Sequence, residues 1–178
     1  MTAILTDNLA VTLAILILVS RLGDILSTYL VTPSLKLEAN LLVRKLGWRF
    51  AAATTVIALV PFYNTGLGVM VLVPSLLVSA ANFQRVWAAR ALGEQAYADW
   101  VRSLARKSKL SAALKGVAAS VFFTALAGST LLLLSPNSDE WGFWFALGIL
   151  VYAFAVAFHS SLYFWRLFKK VREEPPIP

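Results

Sequence analysis

The sequence contains no cysteine, which excludes disulfide cross-links and thiolate metal sites and leaves the fold to packing and hydrogen bonds alone. Acidic residues are scarce, nine Asp and Glu against sixteen Lys and Arg, and histidine occurs once. Charged residues make up 14% of the chain, well under the roughly 25% of soluble domains. Also missing are a His-Glu-x-x-His helix, a Gly-rich phosphate loop and a Gly-x-Ser-x-Gly elbow, the sequence marks of zinc hydrolysis, nucleotide binding and serine catalysis. No internal repeat is visible. Long apolar runs fill the space instead: 59% of residues are apolar, in stretches near the roughly 20 residues a helix needs to cross a bilayer core of about 30 Å. The expected class is all-α, a polytopic membrane helical bundle of about five transmembrane helices plus a cytoplasmic amphipathic helix.

The expected spans are residues 8–32, 49–63, 67–87, 111–134 and 141–166, within one transmembrane domain at 1–170 followed by a tail at 171–178. Met1 to Ala10 carries no basic residue and the first apolar run outlasts a signal peptide, so the first span is expected to be retained. Pro33 should end it. Residues 34–48 alternate Leu with charged and polar groups, as in an interfacial loop or a short helix on the bilayer surface. Asn64-Thr65-Gly66 is turn chemistry, so the second and third spans should form a tight antiparallel hairpin; the alternative is a broken or re-entrant element kinked at Pro61 and Pro74. Residues 88–109 turn polar and Ala-rich with an apolar side at Leu92, Tyr97, Trp100, Val101 and Leu104, the pattern of a surface helix. Gly116 and Ser120, one turn apart, should allow the fourth span to approach a neighbour closely.

Basic residues set the orientation. Every Lys and Arg except Arg21 falls in the first connection, in the stretch from Arg85 to Lys115, or at the C-terminal end. The positive-inside rule places that side in the cytoplasm, with the N-terminus outside, in the cell (inner) membrane. Tyr63, Trp141 and Trp144 suit the outer interface and Trp48, Trp87, Tyr163 and Trp165 the inner one. The net charge of +7 therefore points to anionic lipid headgroups, contacted by Lys107, Lys109, Lys169, Lys170 and Arg172, and not to nucleic acid. Membrane lipids, a second copy of the chain or another membrane protein are the expected partners. No cofactor or metal is expected, although Asp24, Glu38 and His159 are suitable ligand types were they to converge.

Arg21 and Asp24 stand inside the first span, where a central charge costs about 2.5–3.5 kcal/mol on insertion scales. Three residues apart, they share a helical face with Ser20, Ser27 and Thr28. That face should turn inward. Given the orientation, Asn82, Gln84 and Arg85, Lys115 and Ser120, and His159, Ser160 and Ser161 lie at similar depth on other spans. The candidate polar site is Arg21, Asp24, Ser27, Thr28, Glu38, Asn40, Asn82, Arg85 and His159, forming a polar cavity open to the cytoplasm. The plainer reading is a buried pair that joins helices, with Arg21 snorkelling toward the headgroups.

The stretch Arg21-Leu22-Gly23-Asp24-Ile25-Leu26-Ser27-Thr28, followed by Glu38-Ala39-Asn40, Arg44 and Gly47, resembles an uncharacterised family of small bacterial and archaeal integral membrane proteins. In that family an intramembrane Asp-x-x-x-Thr precedes a Glu-x-Asn-Pro motif. Leu41 stands here where Pro is usual, so the exit from Asn40 should be helical. The resemblance covers residues 21–47 and implies no activity, only that Asp24, Thr28, Glu38 and Asn40 act as a unit.

Three functions compete on these residues. The first is a non-enzymatic membrane module whose polar cluster faces the cytoplasm and whose basic surface contacts lipid or a partner. The second is a small ion, proton or solute transporter subunit centred on Asp24, since intramembrane carboxylates mark ion routes. The third is an enzyme acting on a lipid headgroup at the inner leaflet, with Asp24, Glu38 and His159 as its only acid/base candidates.

Overall fold

The computed structural model describes residues 2–35 and 41–173, and its regular structure is helical throughout. The elements are α1 (Thr2–Val31), α2 (Leu41–Ala53), a 3-10 stretch (Thr54–Leu59), α3 (Val60–Tyr63), α4 (Thr65–Leu92), α5 (Glu94–Lys107), α6 (Leu110–Leu134) and α7 (Trp141–Glu173). Five stretches among the described residues are long and apolar enough to cross a membrane: Asn8–Val31, Leu42–Tyr63, Thr65–Leu92, Leu110–Leu134 and Trp141–Glu173. Large apolar side chains face outward along them, Phe123 at 67% and Phe154 at 73% exposure. Such a surface needs a non-aqueous cover.

The second stretch differs most from a plain helix. It starts earlier than residue 49, is kinked at Gly47 (φ 77°), and passes through the 3-10 stretch before α3. Local chemistry explains the change of winding. Thr54 and Thr55 donate their hydroxyls back to the carbonyls of Ala51 and Ala52, 2.6 and 2.7 Å away, and Pro61 has no N–H to give to an α-helical bond. A 3-10 helix rises about 2.0 Å per residue against about 1.5 Å in an α-helix, so the tighter winding lengthens a short span.

The following turn is tighter than three residues. Asn64 alone separates α3 from α4; its extended backbone (φ −157°) ends one helix while its side chain accepts from Leu67 N–H at 2.9 Å and caps the next. A Cβ on Gly68 would lie 2.8 Å from the Pro61 ring, so the hairpin closes only with glycine there.

Packing runs in a row: α1 lies on α4, α4 on α7 and α7 on α6, with the 3-10 stretch and α3 tucked beside α1 and α4. The apolar core joins Leu13 and Ile17 of α1, Ala58, and Val69, Leu72 and Val73 of α4, with Trp144 and Ile149 of α7 packed on it. Glycines set the close approaches. A Cβ on Gly148 of α7 would come within 2.8 Å of Val73, and one on Gly128 of α6 within 3.0 Å of Leu150. The expected close approach at Gly116 and Ser120 does not occur there: both are exposed, and no atom lies within 4 Å of a Cβ on Gly116. Gly128 serves because it, and not Gly116, sits on the face turned to α7.

The break before the polar helix falls at Gly93 (φ 79°), so α4 continues to Leu92 and α5 packs on α4 and α7. At about 1.5 Å per residue, the 33 residues of α7 span roughly 50 Å, well beyond a core of about 30 Å. Its surplus carries Lys169, Lys170 and Arg172.

Candidate functional site

Small polar residues bring α1 and α4 together. Ser20 and Ser27 on α1 are 4% and 0% exposed, and Ser75 and Ser79 on α4 are buried as well. Three of these hydroxyls are satisfied by their own helix: Ser20 donates to Ile17 O, Ser27 to Asp24 O and Ser75 to Val71 O, each at 2.9 Å. They can thus be buried at little cost. Between the two α1 serines, a Cβ on Gly23 would lie 2.7 Å from Ser79 Oγ. The helices are close enough here for a short side chain to reach across.

Asn82 does so. Its Nδ2 donates to Asp24 Oδ1 at 2.7 Å, while Arg21 Nη1 donates to Asp24 Oδ2 at 2.9 Å. Arg21 Nη2 then donates to Thr54 Oγ1 at 2.7 Å, and Thr54 passes its own proton to Ala51 O. One carboxyl group and one guanidinium therefore tie α1, the 3-10 stretch and α4 into a single network. Both carboxylate oxygens are engaged. Arg21 and Asp24 are 21% and 16% exposed, and Arg21 Nε is the one buried side-chain polar atom among the described residues without a partner.

The other described members of the expected site, Thr28, Arg85 and His159, make no hydrogen bond to Asp24 among the described residues. Thr28 is half-buried on α1 and Arg85 is exposed on α4; Arg85, with Arg102 and Tyr97 of α5, lies within electrostatic reach of Tyr163 on α7. His159 sits against Phe158, with ring centroids 5.3 Å apart, and within reach of Arg166; no hydrogen bond among the described residues ties it to Asp24. Lys115 and Ser120 are exposed on α6. Glu38 and Asn40 lie outside the described residues. Two cavities, of about 550 and 450 Å³, follow α6 and α7, and Asp24 and its partners line neither. In the row of helices α6 packs mainly on α7, which sets Lys115 and Ser120 apart from the polar groups between α1 and α4.

Two contributors escaped the sequence reading. Thr54 is one, signalled only by the Thr54-Thr55 pair inside a short span. Glu94 is the other: its Oε1 accepts from Thr32 Oγ1 and Ser34 Oγ, both at 2.6 Å, pinning the exit of α1 to the start of α5. Beside it Trp48 donates to Pro33 O at 3.2 Å and meets Tyr29 edge-on, centroids 5.6 Å apart. Among the basic residues, Lys109 and Arg172 line the larger cavity, and Lys107, Lys169 and Lys170 are exposed. Lys169 lies 4.0 Å from Glu173 and 5.9 Å from the Trp165 ring. Among the described residues no three of His, Asp or Glu gather as metal ligands.

No protein-family profile, curated protein or solved structure matches the chain.

Proposed function

We propose that the chain is a multi-pass protein of the cytoplasmic membrane, N-terminus outside and C-terminus inside, acting as a non-enzymatic module. In this reading the Arg21–Asp24–Asn82–Thr54 clasp organises the bundle, and the basic end meets anionic lipid or a partner protein. The observation that carries it is that each Asp24 oxygen accepts a hydrogen bond, Oδ2 from Arg21 on its own helix and Oδ1 from Asn82 on α4. A carboxylate held this way is a fastener. The competing readings call for a different setting: an ion route for a water-filled path past Asp24, and acid/base chemistry for Asp24 brought together with Glu38 or His159. The motif around Asp24 and Thr28 also supports membership in the uncharacterised family it resembles.

Reconstitution into sealed vesicles tests the reading. Proton and sodium fluxes should equal those of empty vesicles, for the wild type and for Asp24→Asn alike. A flux present in the wild type and abolished by Asp24→Asn would replace the module with a transporter.

A further inference from the structure

Two cavities follow one another along the seam between α6 and α7, the larger closed also by the end of α5 and the α5–α6 connection. The larger, of about 550 Å³, has a floor of Ala105, Leu110, Phe168 and Val171 and a rim that includes Lys109, Arg172 and Ser111. Arg106 also lines it and makes contacts of its own. The smaller, of about 450 Å³, is apolar except for Ser161, and its α6 wall is Leu114, Val117, Ala118, Val121 and Phe122. These α6 positions follow Leu110 and Ser111 at helical spacing, so both cavities open on one continuous face. On α7, Ala157 and Ser161 lead to Phe168 and Arg172 in the same way. A basic, polar-rimmed hollow thus continues into an apolar groove.

We propose that this seam binds one anionic phospholipid of the leaflet at the basic end, its phosphate beside Lys109 and Arg172 and an acyl chain along the groove from Leu114 to Phe122. The proposal rests on the membrane reading above and narrows its lipid contact to one place. The lining suits an anion, and the length and apolarity of the groove favour a lipid over a soluble one. No acidic residue among those described lines either cavity. The α6 face from Leu110 to Phe122 runs roughly 18 Å at about 1.5 Å per residue, close to one leaflet of a core about 30 Å thick. The groove is also apolar where a soluble anion would leave it empty, whereas a chain would fill it. Because α6 begins at the hollow, the positive end of its dipole adds to the attraction.

Native mass spectrometry of the full chain in neutral detergent, titrated with phosphatidylglycerol and phosphatidylcholine of equal chain length, tests the site. One basic residue near a phosphate is worth about a five-fold change in affinity, so the wild type should favour its first phosphatidylglycerol by about 25-fold. Lys109→Gln with Arg172→Gln should bring the ratio near one. Lys169→Gln with Lys170→Gln removes the same charge from the same helix end outside the hollow and should leave the ratio unchanged. Ala118→Trp should weaken both lipids alike by blocking the groove, and excess glycerol phosphate should displace neither; circular dichroism confirms that each variant is folded. Equal loss from the Lys169 and Lys170 pair, tight binding that survives Ala118→Trp, or displacement by glycerol phosphate would overturn the site. A wild type without any preference for the anionic lipid would instead contradict lipid contact by the basic end as a whole.

Discussion

Asp24 and Arg21 show how far one helix can settle its own charges. Their spacing puts them on one face, and the ion pair is local enough to read from the sequence. Asn82 was legible too, through the depth implied by the basic residues. Thr54 was not, because its position depends on 3-10 winding that no apolar period announces. The order of mutational effects follows from what each change leaves behind. Arg21→Ala strands a carboxylate among helices and should lower stability by about 3–5 kcal/mol, read as melting temperature in detergent. Adding Asp24→Ala to it should restore part of that loss, since a coupled pair gives a non-additive double-mutant cycle. Asn82→Ala removes a single interhelical hydrogen bond and should cost nearer 0.6 kcal/mol, up to about 1.7. Strict additivity of Arg21→Ala and Asp24→Ala would mean that the 2.9 Å contact contributes nothing.

At the scale of the element, the clasp depends on how closely α1 and α4 approach. Gly23 controls that distance through its contact with Ser79. Gly23→Ala should be mild, because the Ser79 hydroxyl can rotate away. Gly23→Leu should push the helices apart, costing about 1–3 kcal/mol by overpacking and drawing Asn82 away from Asp24. Adding Asn82→Ala to Gly23→Leu should then cost almost nothing further; a full second loss would show that the two helices had not separated. The corner at Gly93 makes a second test. With φ at 79°, Gly93→Ala stores about 1–3 kcal/mol of backbone strain and strains the Glu94 contacts to Thr32 and Ser34. Hydrogen exchange should quicken in α5 and at the end of α1, while the core around Ile17 and Val69 keeps its protection. The sequence marked the existence of these helices by apolar length, yet it misplaced this corner. Residues 88–92, Ala-rich with Arg90 among them, blend into the polar helix that follows although they complete the end of α4, and the positive φ of Gly93 marks the break.

On the scale of the whole molecule, the row α1, α4, α7, α6 explains why apolar length was legible and the partition of polar groups was not. Length and composition give five stretches able to cross a membrane, but neighbours in space are set by which glycines meet which side chains, as at Gly148 and Gly128. Polar groups placed at one depth can therefore belong to different seams, and His159 shares no hydrogen bond with Asp24 for that reason. Labelling of single cysteines tests most directly the proposed five-span arrangement with its basic ends together in the cytoplasm, because the sequence has no cysteine of its own. Tyr63 and Asp139 are exposed at the turns on one side, and Ser108 is exposed between α5 and α6 on the other. In intact cells an impermeant maleimide should label Tyr63→Cys and Asp139→Cys and reach Ser108→Cys only after the membrane is opened. Labelling of Ser108→Cys from outside, with Tyr63→Cys and Asp139→Cys protected, would contradict the orientation, and opposite behaviour of Tyr63→Cys and Asp139→Cys would contradict the five-span arrangement itself.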